Sequence, residues 1–566
     1  MTMLTKWGAV LDRSCPLPEY PRPQLRRESF YNLNGVWDYA VTPSGDEPEV
    51  WDGEIVVPFS PEAPLSGAAR GPAKDEYLHY RRGFTLPEGF QKSRVLLHFG
   101  AVDQITEVFV NGVSAAKHSG GYWPFSADIT SLLREGENIL RVTVRDNADD
   151  PTFAYGKQRY KRGGMWYTAQ SGIWQTVWLE SVPEVYVKSL RITPEFDEAR
   201  VRIELETALE SSAAITCDVR AADGSFVAGS WAKGGVCVVP LPGFRAWTPD
   251  DPYLYTLDIT CGEDRVESYF AMCKFSYVEL GGRKVFGLNN APLFHNGLLD
   301  QGYYPDGLLT PPSDEAMVND IETMKRCGFN MLRKHIKIEP LRWYYHCDRL
   351  GMIVWQDMVS GGQPYSFLHV SALPTLGKVD FPDQDAKPYG RSGVLSRARF
   401  RREMADTVRL LYNCPCIALW TVFNEGWGQF DALDMANELK KLDPTRFIDH
   451  ASGWQDQGYE EMKSRHIYFR PVKLKNDGRA LALTEYGGYI LAVDGHRWTD
   501  KVFGYRICRD SAALAHDYEK LMLGQVLPHI RKEGLTAAVY TQITDVEEEL
   551  NGLMTYDREV LKIPEE

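Results

Sequence analysis

Two glutamates in the C-terminal half of the chain directly follow strongly apolar runs. Glu425 comes after Asn424 and the run IALWTVF, and Glu485 comes 60 residues later, after the run ALALT. Hydrolysis of a glycosidic bond uses such a pair, because the leaving oxygen needs a proton while the anomeric carbon needs a nucleophile on its other face. We therefore predict that Glu425 is the general acid/base and Glu485 the nucleophile. Either glutamate alone could instead be a charge at a helix N-terminus.

The two predicted roles need opposite protonation states at the start of the reaction. Glu425 must begin as the acid, which an apolar surround favours. Glu485 must begin as the carboxylate. Donors such as Tyr486, Arg333 or His335 would keep it ionised.

Further polar and aromatic residues stand at or beyond the ends of predicted strands. In a parallel barrel, the carboxyl ends of the strands converge on one site, so these side chains are candidates for binding a substrate. Each also has a structural interpretation, as an ion-pair partner or a satisfied polar residue of the core. The candidate substrate-binding residues are Asn424, Asp300, Arg333, His335, Asp357, Trp454, His466, Tyr468, Tyr486 and Gln542.

The elements that must position these residues alternate between strand and helix after about residue 278. Over about 290 residues this alternation predicts a parallel sheet, and eight units of that size favour a closed (β/α)8 barrel. An open doubly wound sheet is the alternative, but no G-x-G-x-x-G follows an early strand. The predicted helices span residues 313–327, 340–350, 396–412, 430–442 and 511–532.

The sequence before the barrel contains short strands and turn signals. Residues 1–185 show runs such as NILRVTV and the hairpin turn Asn111-Gly112, which predict a β-sandwich. Residues 186–277 show a second run of strands with the spacing of an immunoglobulin-like sandwich. The predicted domains are therefore residues 1–185, 186–277 and 278–566.

Composition and charge exclude several classes of protein. The formal net charge is −14, and an acidic chain repels phosphate backbones, so no nucleic-acid partner is expected. No run of about 18 apolar residues occurs, and the N-terminus lacks a secretory pattern, so we expect a cytoplasmic protein without a membrane partner. The ten cysteines are scattered, which argues against a zinc site. We expect no cofactor and no metal.

The chain resembles glycoside hydrolase family 2, the family of β-galactosidases, β-glucuronidases and β-mannosidases. HYRRGFTLP, LHFGAVDQITEVFVNG and SGIWQTVWLE are similar to its sugar-binding jelly-roll domain, and residues 186–277 are similar to its immunoglobulin-like domain. GFNMLRKH, WYYHCDRLGMIVWQD, TVFNEGW and LTEYGG match stretches of its TIM barrel. The resemblance implies that Asn424-Glu425 is the acid/base motif and Glu485 the nucleophile. It also implies retaining, exo-acting hydrolysis of a terminal β-linked sugar.

The nature of the sugar depends on a short segment after the last strand. Uronidases of the family typically carry an Asn-x-Lys motif there. This chain reads Glu549-Leu550-Asn551-Gly552, without the lysine and with a carboxylate that would repel a uronic acid. We therefore expect a β-D-galactoside or an oligosaccharide that ends in one. A β-hexuronidase, especially a β-galacturonidase, stays open as an alternative, because basic residues lie near other strand ends: Arg333, Lys334, Lys337, Arg465 and Arg470.

Three further hypotheses concern binding and assembly. A non-catalytic carbohydrate-binding protein on the same fold would be expected to lack one of the two glutamates, and this chain has both. The family resemblance implies a homo-oligomer. The long loop 359–396 contains several glycines and prolines, which suits a lid over the site or a contact between subunits.

Overall fold

The first β-sandwich occupies residues 31–182 of the computed structural model, which describes residues 3–209, 214–376 and 380–564. It has a six-stranded and a four-stranded antiparallel sheet. Alternate side chains such as Val108 and Leu97 point between the sheets and form one buried cluster. In sheet order the strands are Gly53–Val57, Gly35–Thr42, Tyr77–Thr85, Glu137–Arg145, Ile105–Val110 and Val113–Ser119, then Tyr31–Asn32, Val177–Val182, Arg94–Phe99 and Phe125–Asp128.

The second β-sandwich follows directly and is smaller. Its three-stranded and four-stranded sheets enclose a separate apolar cluster that includes Val201, Cys217 and Leu257. The alternating burial of its strands explains why the sequence shows the pattern of an immunoglobulin-like sandwich. In sheet order the strands are Val187–Glu195, Arg200–Thr207 and Val236–Pro240, then Phe226–Ala232, Ile215–Arg220, Tyr255–Cys261 and Asp264–Phe270.

Eight parallel strands form the barrel and follow one another round it in chain order. Hydrogen-bonded pairing joins all neighbours except the fifth and sixth strands. The predicted fold class, two β-sandwiches and a C-terminal TIM barrel, is confirmed. The strands are β1 (His295–Asp300), β2 (Met331–Lys334), β3 (Ile353–Asp357), β4 (Ile417–Thr421), β5 (Phe447–Asp449), β6 (Met462–Ile467), β7 (Ala480–Gly487) and β8 (Leu535–Thr541).

Helices follow five of the eight barrel strands, namely β1 to β4 and β7. They are α1 (Asp314–Arg326), α2 (Leu341–Leu350), α3 (Val394–Leu411), α4 (Ala432–Leu442), α5 (Ser511–Leu521) and, after the π-helical turn Met522–Val526, α6 (Leu527–Glu533). The chain ranges after the other strands, 450–461, 468–479 and 542–564, are fully described and contain no helix. The connections that leave β5, β6 and β8 are therefore loops.

The predicted helix 313–327 is confirmed to within one residue at each end. The Ser313 side chain accepts a hydrogen bond from the amide of Ala316, which caps the first turn. Asp314 and Glu315 complement the positive end of the helix dipole.

A small antiparallel sheet closes the N-terminal end of the barrel. It consists of Phe275–Leu280, Arg283–Leu288 and Ala291–Pro292. Phe286 stacks on Phe447 of β5 with 4.4 Å between ring centroids, and it meets Trp355 of β3 edge-on. Because Phe275 and Phe286 belong to the same buried cluster as the barrel interior, we propose that the barrel domain begins at Phe275, inside the predicted second domain.

The first sandwich contacts the other end of the barrel, where the strands finish. The amides of Tyr155 and Gly156 donate to the carbonyl of Ser360, in the loop that follows β3. That loop also contains the π-helical turn Leu368–Ala372 and the short helix Leu373–Thr375, and its residues 377–379 lie outside the described residues. A role as lid or subunit contact stays a prediction.

Among the residues that the structure describes, no helix is both long enough and apolar enough to span a bilayer.

Candidate active site

Arg333 is the centre of a buried polar network at the carboxyl end of the barrel. It lies on β2 and is fully buried. Its Nε and Nη2 donate to the two oxygens of Asp357, each at 3.0 Å. Nη1 donates to Oε1 of Glu485 at 3.0 Å, and Nη2 to Oδ1 of Asn424 at 2.8 Å. One guanidinium therefore fixes side chains from three other segments of the barrel.

Glu485, on β7, accepts hydrogen bonds on both of its carboxylate oxygens. Oε1 accepts from Arg333, and Oε2 accepts from the hydroxyl of Tyr468 at 2.5 Å. The Tyr468 hydroxyl lies 2.9 Å from Oγ1 of Thr541, and its ring stacks on Tyr505 with 3.9 Å between centroids. These contacts hold the carboxylate in one orientation.

A β-bulge turns Glu485 toward the barrel interior. Ala480 and Ala482 belong to the interior cluster, so strict alternation would send Thr484 inward and Glu485 outward. The pairing of β7 with β8 shifts register between Leu483 and Tyr486, which reverses the alternation at this point. Bulges commonly re-aim side chains beside active sites.

Glu425 lies beyond the end of β4 and is more exposed than Glu485. Its backbone has φ +54°, a left-handed conformation that is costly for a residue other than glycine. Its amide donates to the carbonyl of Ser452, and its carbonyl accepts from Nε1 of Trp454. Burial raises the pKa of the carboxyl group, although the positive charge of Lys157 acts in the opposite direction.

His466, on β6, lies between the two glutamates. Its Nδ1 is 2.8 Å from Oε1 of Glu425 and 3.5 Å from Oε2 of Glu485. Burial lowers the pKa of the imidazole to about 3, so the ring is neutral. Nε2 faces the Ser452 hydroxyl at 3.2 Å and Nη1 of Arg333 at 3.4 Å. Since Arg333 can only donate, we assign Nε2 as the acceptor and the proton to Nδ1.

The carboxyl groups of Glu425 and Glu485 lie close together. One oxygen of each, with a nitrogen of His466, forms a group whose atoms are all within 4.8 Å of one another. Such a group could hold a metal ion, but its spacing also suits two carboxylates acting on one bond. Activity in excess chelator distinguishes these two interpretations.

Asp357 and His335 form a buried pair behind this group. Nδ1 of His335 lies 2.8 Å from Oδ2 of Asp357. Burial alone would raise the pKa of Asp357, but Arg333 and His335 outweigh it and lower the pKa to about 2. Asp357 therefore stays ionised and balances the charge of Arg333.

Two of the predicted substrate-binding residues lie outside the barrel interior. Asp300 binds Nζ of Lys334 at 2.6 Å, and Lys334 lies over the ring of Trp343 on α2. The Tyr486 hydroxyl points to Sδ of Met522 at 2.9 Å, in the layer between strands and helices. The expectation that Tyr486 would help to keep Glu485 ionised is therefore wrong, because neighbouring residues of a strand face opposite sides.

Trp454 and Gln542 lie near the site but already bond within the protein. Nε1 of Trp454 donates to the carbonyls of Val370 and Glu425, so its indole fixes the backbone of the predicted acid/base. Nε2 of Gln542 donates to Oδ1 of Asn551 at 2.7 Å. Contact with a substrate stays a prediction for both.

Four of the five basic residues near strand ends, the possible partners of a uronic acid, already bond to other groups of the protein. Arg333 is bonded as described above. Lys334 and Lys337 both bind Oε1 of Glu339, on the outer side of β2. Arg465 approaches Asp380 at 3.4 Å. Arg470 instead lines an open groove of about 590 Å³, together with Lys473 and Lys475, and this groove also reaches Trp454 and His466.

Three residues near the glutamates are not among the predicted site residues, although the sequence drew attention to the charge of Glu549. Glu549 follows β8, is buried, and accepts from the hydroxyl of Tyr167. Lys157, also buried, comes from the first sandwich, and its charge acts on Glu425, Glu549 and His335. Tyr505 stacks on Tyr468 as described above. Their positions depend on long-range packing, so strand-end patterns could not reveal them.

The sequence matches three family models along its length. They are the sugar binding domain of glycosyl hydrolases family 2 at residues 64–183, the model named glycosyl hydrolases family 2 at 185–272, and the TIM barrel domain of that family at 311–474. Together the three ranges cover more than half of the 566 residues. The chain therefore belongs to glycoside hydrolase family 2, as the sequence motifs predicted.

Relatives and solved structures carry two different names. A β-galactosidase of Halalkalibacterium halodurans is 23% identical over 497 residues, which cover 80% of this chain and 45% of that protein. A β-glucuronidase of Paenibacillus borealis is 22% identical and matches 84% of this chain and 85% of its own length. The structure of a Bifidobacterium dentium β-glucuronidase superposes with a TM-score of 0.74 at 17% identity, over 94% of this chain and 96% of the other. At that identity the likeness shows the fold alone.

The chain spans about half or less of the length of the first curated relatives it matches, two β-galactosidases and a protein named putative β-glucuronidase.

Proposed function

We propose that this chain is a retaining, exo-acting β-glycosidase that works by double displacement, with Glu485 as nucleophile and Glu425 as acid/base. The observation that carries the proposal is the approach of the two carboxyl groups, whose facing oxygens lie within 4.8 Å. Retaining glycosidases hold their carboxyl groups about 5–5.5 Å apart, whereas inverting enzymes leave about 6.5–9.5 Å for a water molecule.

The environments of the two glutamates support the division of roles. Glu485 has 6% of its side chain exposed, and Arg333 and Tyr468 donate hydrogen bonds to its two oxygens. These bonds favour the ionised, fixed carboxylate that a nucleophile requires. Glu425 has 23% of its side chain exposed and a raised pKa. It can therefore hold a proton and still reach a leaving group.

Each half of the reaction uses both glutamates. In the first, Glu485 bonds to the anomeric carbon while Glu425 gives its proton to the departing oxygen. In the second, Glu425 removes a proton from water, and the resulting hydroxyl displaces Glu485 from the sugar. Asn424, held by Arg333, is the proposed partner of the sugar 2-hydroxyl. Neutral His466 donates toward both carboxylates and limits their mutual repulsion.

We infer that the sugar is neutral, with a β-D-galactoside as the first choice. Glu549 is buried near Glu485; burial raises its pKa, whereas Lys157 and the Tyr167 hydroxyl favour its ionised form, and that form would oppose a sugar carboxylate. Lys157 favours the second candidate, a β-D-galacturonide, because its charge acts on both Glu425 and Glu549.

Initial rates on aryl β-D-galactoside, galacturonide, glucuronide and mannoside with one leaving group test this proposal, with Glu485→Ala alongside. We expect the galactoside to dominate and Glu485→Ala to lose at least about 10⁴-fold in kcat. Near-normal rates in Glu485→Ala would refute the assignment, and sugar binding without turnover would favour a carbohydrate-binding protein. Excess chelator should leave the rate unchanged, whereas a metal enzyme would lose activity. The homo-oligomer stays a proposal that light scattering can check.

A further inference from the structure

Lys157 has an unusual position for a lysine. It belongs to the first β-sandwich, yet it is only 8% exposed, and its Nζ lies 5.7 Å from the ring centroid of Trp166. Trp166 packs edge-on against Trp427, two residues after the predicted acid/base. Across the part of the chain that the structure describes, no carboxylate lies within 4.0 Å of this Nζ and no hydrogen bond from it is formed. The side chain is packed away from solvent, but Nζ is not fully enclosed, so the ammonium group is free to bind a ligand.

Glu549 is the matching buried anion on the barrel side. It lies in the turn after β8, where its amide and carbonyl both bond to Val546. Its Oε2 accepts from the Tyr167 hydroxyl, and no lysine or arginine in the described ranges comes within 4.0 Å of its carboxylate. Its nearest charged influences include Lys157 and Glu485.

Tyr167 forms hydrogen bonds with both Lys157 and Glu549. Its amide donates to the carbonyl of Lys157 at 3.0 Å, and its hydroxyl donates to Glu549. The short parallel pair Gln158–Arg159 and Tyr167–Thr168 holds this connection rigid. Lys157 and Glu549 therefore keep a fixed relation to each other, although they come from different domains.

A cation and an anion whose charges act on the reacting carboxyl groups suit a neutral sugar. An ammonium group can only donate and a carboxylate can only accept, so together they can bind both sides of sugar hydroxyls. Their charges also balance, so the site carries no net attraction for a uronic acid. Removal of either charge should therefore change the choice of sugar, and not only the strength of binding.

We propose that Lys157 and Glu549 form a sugar-binding pair, one residue from each domain, that selects a neutral glycone over a uronic acid. Glu549 accepts from glycone hydroxyls and repels a carboxylate, and Lys157 donates to the glycone. This inference rests on the proposed glycosidase function. It gives the first sandwich a direct part in substrate selection.

The test compares kcat/KM on aryl β-D-galactoside and aryl β-D-galacturonide, which differ only at the sixth carbon. The enzymes are wild type, Lys157→Met, Glu549→Gln and the double variant. Glu549→Gln keeps the shape and removes the repelling charge, so the galacturonide-to-galactoside ratio should rise at least about tenfold. Lys157→Met should raise KM for the galactoside at least about fivefold, and in the double variant it should cancel the gain on the galacturonide.

Two controls separate binding from damage. Lys161→Met removes an exposed lysine in the same segment and should leave both rates within about twofold of wild type. Lys157→Arg keeps the charge, so combined with Glu549→Gln it should retain the galacturonide gain. The thermal unfolding transition of every variant is compared with that of wild type. If Lys157→Met lacks the wild-type transition, Lys157→Gln, which also removes the charge, takes its place.

The proposal is overturned if Lys157→Met matches wild type on both substrates, or if wild type already prefers the galacturonide. A failure of the proposed glycosidase function would be recognised separately, because Glu485→Ala would then keep its activity. If Glu485→Ala loses activity but the Lys157 and Glu549 variants behave like wild type, only this inference is contradicted, and the glycosidase function stands.

Discussion

Nδ1 of His466 lies 2.8 Å from Oε1 of Glu425, and burial keeps the imidazole neutral. The contact brings a hydrogen-bond donor, and not a positive charge, to the predicted acid/base. A charged imidazole here would lower the pKa of Glu425 more strongly than this neutral donor does, and burial raises the pKa of the carboxyl group. The raised pKa favours the protonated form that the first step needs.

Glu425→Ala should show its loss mainly with poor leaving groups. Because the general acid matters most when the departing oxygen is strongly basic, we expect a loss of about 10²–10⁴-fold with an alkyl galactoside. A dinitrophenyl galactoside should lose much less in its first step. Steady-state and pre-steady-state rates on a series of leaving groups measure this difference. Equal losses across the series would contradict an acid role.

The pH profile of kcat/KM should fall on its alkaline side as Glu425 loses its proton. Burial raises the pKa of Glu425, so the protonated form that the first step needs extends to higher pH than for an exposed glutamate. In Glu425→Gln, assayed with a leaving group that needs no acid, this limb should disappear. Persistence of the same limb in that variant would assign it to another group.

Tyr468→Phe and Tyr486→Phe form a matched pair of variants. The Tyr468 hydroxyl donates to Glu485, so its loss should lower kcat by about 10–100-fold. The Tyr486 hydroxyl meets only Sδ of Met522 among the described residues, so its loss should leave kcat within about twofold. Rates of both variants on the preferred aryl glycoside provide the measurement. A larger effect at Tyr486 would contradict the geometry of β7.

The first sandwich should lose stability as pH rises toward neutrality. Burial raises the pKa of Asp103 to about 7, above its value in the unfolded chain, so the native state favours the protonated form. The associated stability is present at low pH and is lost as pH rises from about 4 to about 7. Asp103→Asn should therefore reduce the decline in unfolding free energy between pH 5 and pH 8, by on the order of 1–3 kcal/mol.

Urea unfolding of this variant at the two pH values provides the measurement. Asp46→Asn, on the exposed surface of the same sandwich, is the control and should keep the wild-type decline. An unchanged decline in Asp103→Asn would show that other groups carry the pH dependence.

Local sequence patterns were enough to predict the family, the order of the three folds and the two candidate glutamates. These features depend on local patterns, because apolar runs, turn residues and short motifs act over a few neighbouring positions. Helix 313–327 was predictable for the same reason, since its cap and its apolar face are both local.

The side of the barrel wall that each strand-end residue faces depends on the assembled barrel. Asp300 and Tyr486 end up outside the barrel interior, and Glu485 faces inward because a bulge reverses the alternation of β7. A bulge is set by pairing with a neighbouring strand that is distant in sequence, so it leaves no local signal.

The tertiary structure also brought Lys157 to the barrel from another domain. The position of Lys157 depends on how the first sandwich packs against the loop after β3, through Tyr155, Gly156 and Ser360. Sequence patterns fix the elements, whereas contacts between residues several hundred positions apart arise from the packing of finished elements against one another. We therefore propose that the preference for one sugar depends on how the first sandwich packs against the barrel.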